Sequence, residues 1–316
     1  MNTLDALLFI DANLYLDLYE VTKGKKLLEP LREQRDYIFV TVQVVEEVQR
    51  RKLKVAADFL TRQFKAPELR NFDVPDHLFD VSGETATDLL AKLGEIHDKI
   101  KTVNTDLINA AVKTLQRISL SEDEVSKALA TLFGKAIQHT PEELQRARDR
   151  KERGNPPGKP EGPLGDQLTW EQLLSHGKGK SKVWIISKDR DHCTKHGDKL
   201  FLNPFLYQDL ARVTQPPPAV VCFDNIGDGL RDFARTTGVK AEKLPTVEES
   251  KEIKKELDSL PPRGWLDTSM DDANLVALLA QFRQRLMSPA LRAALQNQGD
   301  EGQNLWLPPD PDKTDK

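Results

Sequence analysis

Four short runs of strand-forming residues, Leu7–Ile10, Tyr37–Thr41, Lys182–Ser187 and Ala219–Phe223, are separated by stretches with helical periodicity. Three of them are apolar nearly throughout, without the polar alternation of a half-exposed strand. A strand of that kind must be covered on both faces, and the arrangement that does so is a parallel sheet between layers of helix. The fold class expected is therefore α/β, a parallel sheet flanked by helices. With 316 residues, 38% of them hydrophobic, the chain is long enough to bury such a core. The first run stops abruptly at Asp11, and the third runs into Lys188-Asp-Arg-Asp191. Ligands of parallel sheets gather where strands end and helices begin.

Taken in order, residues 24–36 and 42 to about 64 read as amphipathic helices that flank the second run. From Glu84 to Arg153 every pattern is helical. Ser121-Glu-Asp-Glu124 and Thr140-Pro-Glu-Glu143 are capping boxes, the second with proline at the first helical position, where a missing N–H costs nothing. No strand is expected for roughly a hundred residues, more than a crossover needs, so a helical insertion is assigned to about 65–165. A loop rich in arginine, then in glycine and proline, leads to a helix beginning at Asp166. Asn203-Pro204 starts a helix to about Val213, and another follows the fourth run and ends near Gly238. The expected organisation is an α/β domain over 1–240, a helical extension over 241–306 with helices at 246–259 and 268–286, and a disordered tail over 307–316.

Composition excludes several classes. A net charge of −4 rules out a basic nucleic-acid coat, and Met1–Asp5 lacks the basic region of a signal peptide. The two cysteines, Cys193 and Cys222, have no Cys-x-x-Cys spacing, which suits a reducing, cytoplasmic compartment. No run is long enough to span a membrane. His192-Cys-Thr-Lys-His196 gathers soft metal ligands but lacks the second pair of a zinc site. No glycine-rich loop follows the first run, so a nucleotide-binding sheet is not supported.

The acids form a pattern. Asp11 and Asp189 follow buried-type strands, Glu46 or Glu47 lies early in the helix after the second run, and Asp166 opens a helix before the third. Each has a bland alternative as a helix cap, a turn residue or part of a solvated face. Carboxylates crowded together repel, so a cluster of them needs cations, and hard oxygen ligands favour Mg²⁺ or Mn²⁺. A strand ending in Asp, Val-x-x-Glu-Val on a helix, Asp opening a later helix, and Ser-x-Asp-Arg-Asp resemble the PIN-domain nucleases. Gly165-Asp166 with Trp170, after a basic Pro-Pro-Gly loop, resembles a larger bacterial PIN-like subgroup with a long insertion.

That resemblance implies a Rossmann-like sheet and an acidic site that binds one or two Mg²⁺ or Mn²⁺ ions and hydrolyses phosphodiester bonds, usually in RNA. Carried over by position, Asp11, Glu47, Asp166 and Asp189 are its catalytic metal ligands, with Asp191 as a further or alternate one. Glu47 is preferred to Glu46 because it immediately precedes Val48. Asn13, Thr41 and Ser187 are expected to support the site, while Trp170 is assigned to the core. Substrate binding falls to Arg50, Arg51 and Lys52, to Arg148, Arg150, Lys151 and Arg153, and to Lys188 and Arg190. RNA is favoured over DNA as the partner. A DNA-directed nuclease, a non-catalytic scaffold, a homo-oligomer and an antitoxin or other regulatory partner all stay open.

Overall fold

The computed structural model describes residues 5–63, 84–159, 161–197 and 199–260. The helix expected at 268–286 and the tail at 307–316 lie outside them. The first half contains β1 (Ala6–Ile10), α1 (Ala12–Asp17), α2 (Lys25–Glu33), β2 (Ile38–Phe39), α3 (Val42–Gln63), α4 (Glu84–Ser119), α5 (Glu124–Phe133) and α6 (Pro141–Glu152). The second contains α7 (Gly165–Gly177), β3 (Lys182–Ile186), β4 (Cys193–His196), β5 (Lys199–Leu202), α8 (Pro204–Val213), β6 (Ala219–Phe223), α9 (Ile226–Thr237) and α10 (Val247–Ser259).

The sheet order is β2-β1-β3-β6, with every pairing parallel. This explains the apolar runs: β1 and β3 are the two inner strands, and Leu8, Ile10, Val183, Ile185 and Ile186 are fully enclosed. Each such side chain contributes about 1.5–3 kcal/mol by leaving water. The aspartates stand just past that apolar stretch, where the strands emerge. On one face, α9 comes so close that a Cβ added at Gly229 would lie 2.2 Å from Ile186 Cδ1. Gly238 ends α9 in the left-handed conformation that glycine tolerates best.

Two units are distinguished. The larger takes in 1–59 and 115–269 and holds the whole sheet. The smaller takes in 60–114 and 270–316, and where it is described it is almost entirely helical, comprising the end of α3 and most of α4. Within the larger unit, α10 is fastened to the sheet-bearing core. Ile253 and Leu257 are buried, Thr22 donates to Glu256 through its backbone N (2.8 Å) and Oγ1 (3.0 Å), and Lys254 reaches Asp224 at 2.9 Å.

Two local expectations change. Thr140 caps α6 in a complete capping box, but α5 is capped by Asp123, which accepts from Ser126 N at 2.8 Å. Ser121 has a positive φ of 57° in the preceding turn, and its hydroxyl serves a buried lysine instead. The second difference is an antiparallel hairpin, β4–β5, where the sequence offered no strand.

Candidate functional site

Asp11 is the first residue past β1 and the N-cap of α1, yet its side chain makes no capping hydrogen bond. It turns toward β3 instead. Its backbone N–H donates to Ile186 O at 3.0 Å, extending the ladder by one step, and Oδ2 accepts from Ser187 Oγ at 3.0 Å. Ser187 Oγ also accepts from Asp189 N at 3.0 Å, and Asp189 Oδ1 accepts from Asp191 N at 3.0 Å. One buried hydroxyl therefore links the Asp11 carboxylate to the backbone N–H of Asp189.

Glu47 and Asp166 arrive from helices. Thr41, fully buried, accepts from Val44 N at 3.3 Å and lies 3.3 Å from the Thr169 hydroxyl, joining the start of α3 to α7. Asp166 occupies the first turn of α7, where the helix dipole favours a negative charge. Asp11, Gln43, Glu47, Asp166, Thr169 and His192 then line a common cleft. Glu46, by contrast, faces solvent and lies 3.4 Å from Arg50.

The electrostatics are those of an overcrowded anion site. Burial, with Asp11, Glu47, Asp189 and Asp191 adding repulsion in that order, pushes the Asp166 carboxyl well above the usual range. Burial likewise raises Asp11; His192 opposes the rise and Glu47 and Asp189 add to it. Arg51 supplies a local cation, with Nη1 2.5 Å from Glu47 Oε1 and 3.2 Å from Asn13 Oδ1. Arg51 thereby joins Asn13 to Glu47, which lines the cleft.

His192 is the functional candidate that sequence reasoning missed. It is 3% exposed, borders the cleft beside Phe9 and Trp170, and its Nδ1 finds no hydrogen-bond partner. Its place directly after Ser-x-Asp-Arg-Asp was the available signal. His196, its companion in the zinc-like motif, is exposed on the hairpin. Trp170 is core, 1% exposed, with Nε1 donating to Asp209 at 3.4 Å.

Two residues expected to hold substrate do not face solvent. Lys52 is 3% exposed and donates to Ser121 Oγ (2.6 Å) and Ser126 Oγ (3.0 Å); desolvation lowers its pKa. Arg150 is locked between Glu171 (2.7 Å) and Asp209 (2.8 Å) and also donates to Pro156 O. Both are corrections: a basic run read from sequence was divided by tertiary packing into a buried member and exposed ones. Lys151 is tied to Gly162 O and Lys188 to Asp17 at 2.7 Å. Arg50, Arg148, Arg153 and Arg190 are exposed.

Among the described residues, no three His, Cys, Asp or Glu side chains are already drawn together as a metal cage. The donor set nonetheless fits a hard divalent cation, because the cleft offers carboxylate oxygens whose mutual repulsion such an ion would relieve. Among the described residues, no helix is long and apolar enough to cross a membrane.

A parallel sheet with acids from two strand ends and two helix starts defines an acidic-cleft α/β domain. Residues 7–202 match the model of the PIN-like domain family, and the chain belongs to that family, a group with nuclease-type function. No curated protein and no solved structure matches the chain.

Proposed function

We propose that this protein is a divalent-metal-dependent nuclease that hydrolyses phosphodiester bonds, with RNA favoured over DNA. The observation that carries this reading is an acidic cleft lined by Asp11, Glu47 and Asp166, in which burial, and then repulsion from Asp11, Glu47, Asp189 and Asp191, pushes the Asp166 carboxyl well above the usual range. Asp11, Asp166 and Asp189 would hold Mg²⁺ or Mn²⁺, with Glu47 and Asp191 beside them. The bound metal would orient the phosphate, stabilise its developing charge and lower the pKa of an attacking water. Ser187 positions Asp11 against Asp189, and Arg51 positions Glu47. Exposed Arg50, Arg148, Arg153 and Arg190 are the remaining candidates for phosphate contacts. A cytoplasmic location accords with the two free thiols.

The test is cleavage of labelled single-stranded RNA and DNA by wild type and Asp11→Asn in Mn²⁺, Mg²⁺ and EDTA. Cutting that needs metal and is lost in the variant is the expected result. Cutting that persists in Asp11→Asn, or in EDTA, overturns the assignment.

A further inference from the structure

The segment leaving the acidic cleft is a two-stranded hairpin whose two faces differ. Cα register pairs Cys193 with Leu202, Thr194 with Phe201, Lys195 with Leu200 and His196 with Lys199. Side chains alternate along each strand and opposed partners share a face. One face therefore carries Cys193, Leu200 and Leu202, which pack on the hydrophobic core, and Lys195, which reaches Asp224 at 3.1 Å. The other carries Thr194, His196, Lys199 and Phe201, all exposed.

Phe201 is the anomaly, because the face behind it packs on the core while its own ring is 54% exposed. An isolated exposed aromatic would need no explanation. This one shares its face with a lysine and an imidazole, and it stands opposite Thr194, two residues past His192 of the cleft. At a strand rise of about 3.4 Å per residue, that is roughly 7 Å from the acids' neighbour. Hydrogen bonds from the backbone and side chain of Asn203 fix the base of the hairpin to the site: Asn203 N donates to His192 O at 2.8 Å, and Asn203 Nδ2 to Asp191 O at 3.3 Å.

An aromatic ring with cations alongside is the arrangement that holds an unpaired nucleotide, the ring taking the base and the cation the phosphate. A duplex hides its bases and offers such a ring nothing to stack on. We propose that the solvent face of the β4–β5 hairpin is the platform on which a single-stranded nucleic acid lies as it enters the acidic cleft, with a base on Phe201 and a phosphate at Lys199. The proposal rests on the nuclease reading and specifies its substrate as unpaired strand.

Binding by the full chain in EDTA, where no metal-dependent cleavage intervenes, tests this separately from the cleavage assay. Fluorescence anisotropy is measured with a single-stranded RNA, the single-stranded DNA of the same sequence, and a duplex. Wild type is expected to prefer the single strands, and whichever of RNA and DNA binds tighter names the polymer. Phe201→Ala weakens single-strand binding about 10-fold, and Phe201→Trp restores it. Lys199→Ala lowers the slope of log affinity against log salt by about 0.7, the loss of one phosphate contact on a single strand. Thermal melts confirm that the variants are folded. No single-strand binding by wild type at low salt, a preference for duplex, or wild-type affinity in Phe201→Ala overturns the platform, whatever the cleavage assay finds.

Discussion

Arg150→Ala separates a structural arginine from a substrate-binding one. The guanidinium is 8% exposed and bonds Glu171, Asp209 and the Pro156 carbonyl, so it joins α6, α7 and α8. Removing it leaves two buried carboxylates short of a partner, a loss that ordinarily costs about 3–5 kcal/mol. Glu171 retains Arg146 at 2.9 Å, and Asp209 retains Arg212 at 3.3 Å and Trp170 Nε1 at 3.4 Å. These residual contacts place the cost near the lower end, about 3 kcal/mol. For a domain of this size each kcal/mol shifts the melting temperature by about 2–4 °C, so a fall of roughly 6–12 °C is expected by calorimetry. Arg153→Ala, at an exposed position three residues on, should stay within about 0.5 kcal/mol of wild type. If Arg150→Ala melts within roughly 2 °C of wild type and loses nucleic-acid affinity instead, the buried network is misread and the α6 run faces substrate.

Two further expectations concern pH. Asp166 has a raised folded pKa, from burial first and then its acidic neighbours, so ionising it destabilises the fold increasingly as pH rises through that value. Asp166→Asn should therefore melt higher than wild type in EDTA at pH 8, with the gap closing toward pH 4, and should lose part of the Mn²⁺-induced rise in melting temperature; a lower melting temperature at pH 8 would contradict this. Asp224 runs the other way: burial opposes its ionisation, but hydrogen bonds from Lys254, Asn225 and Lys195 hold it at about 2, below the ordinary 3.8. Its contribution is present above pH 4 and lost as pH falls toward 2, so Asp224→Asn should flatten the acid limb of the stability curve, measured by urea melts at pH 2 to 5.

The sheet was legible because buried parallel strands leave an unmistakable record: Leu7–Ile10 and Val183–Ile186 have no polar residue to place on a wet face. The acids were legible as strand-end and helix-start positions, and the family match spans all of them. The hairpin was not, because each strand has only four residues and β4, Cys-Thr-Lys-His, is mostly polar, leaving the short apolar Leu200–Leu202 run without a recognisable partner. Lys52 and Arg150 illustrate a different limit. A basic run on a helix looks solvated, and only the arrival of Ser121, Ser126, Glu171 and Asp209 from distant segments turns one member inward. Asp123 displaced Ser121 as the α5 cap for a similar reason, since Ser121 is held in the turn that meets Lys52.

The strand order bears on how the protein is made. β1 lies between β2 and β3, so its second edge has no partner until β3 arrives, and the Asp11–Ser187 bond that closes the site joins residues 176 apart in sequence. A ribosome adding about 5–20 residues per second needs roughly 9–35 s to cover that interval. Throughout it, the nascent chain displays an apolar strand edge open to wrong partners or to chaperones. Over the same interval Asp11 has no Asp189 beside it. The set of acids proposed for the site is therefore incomplete until translation has passed β3.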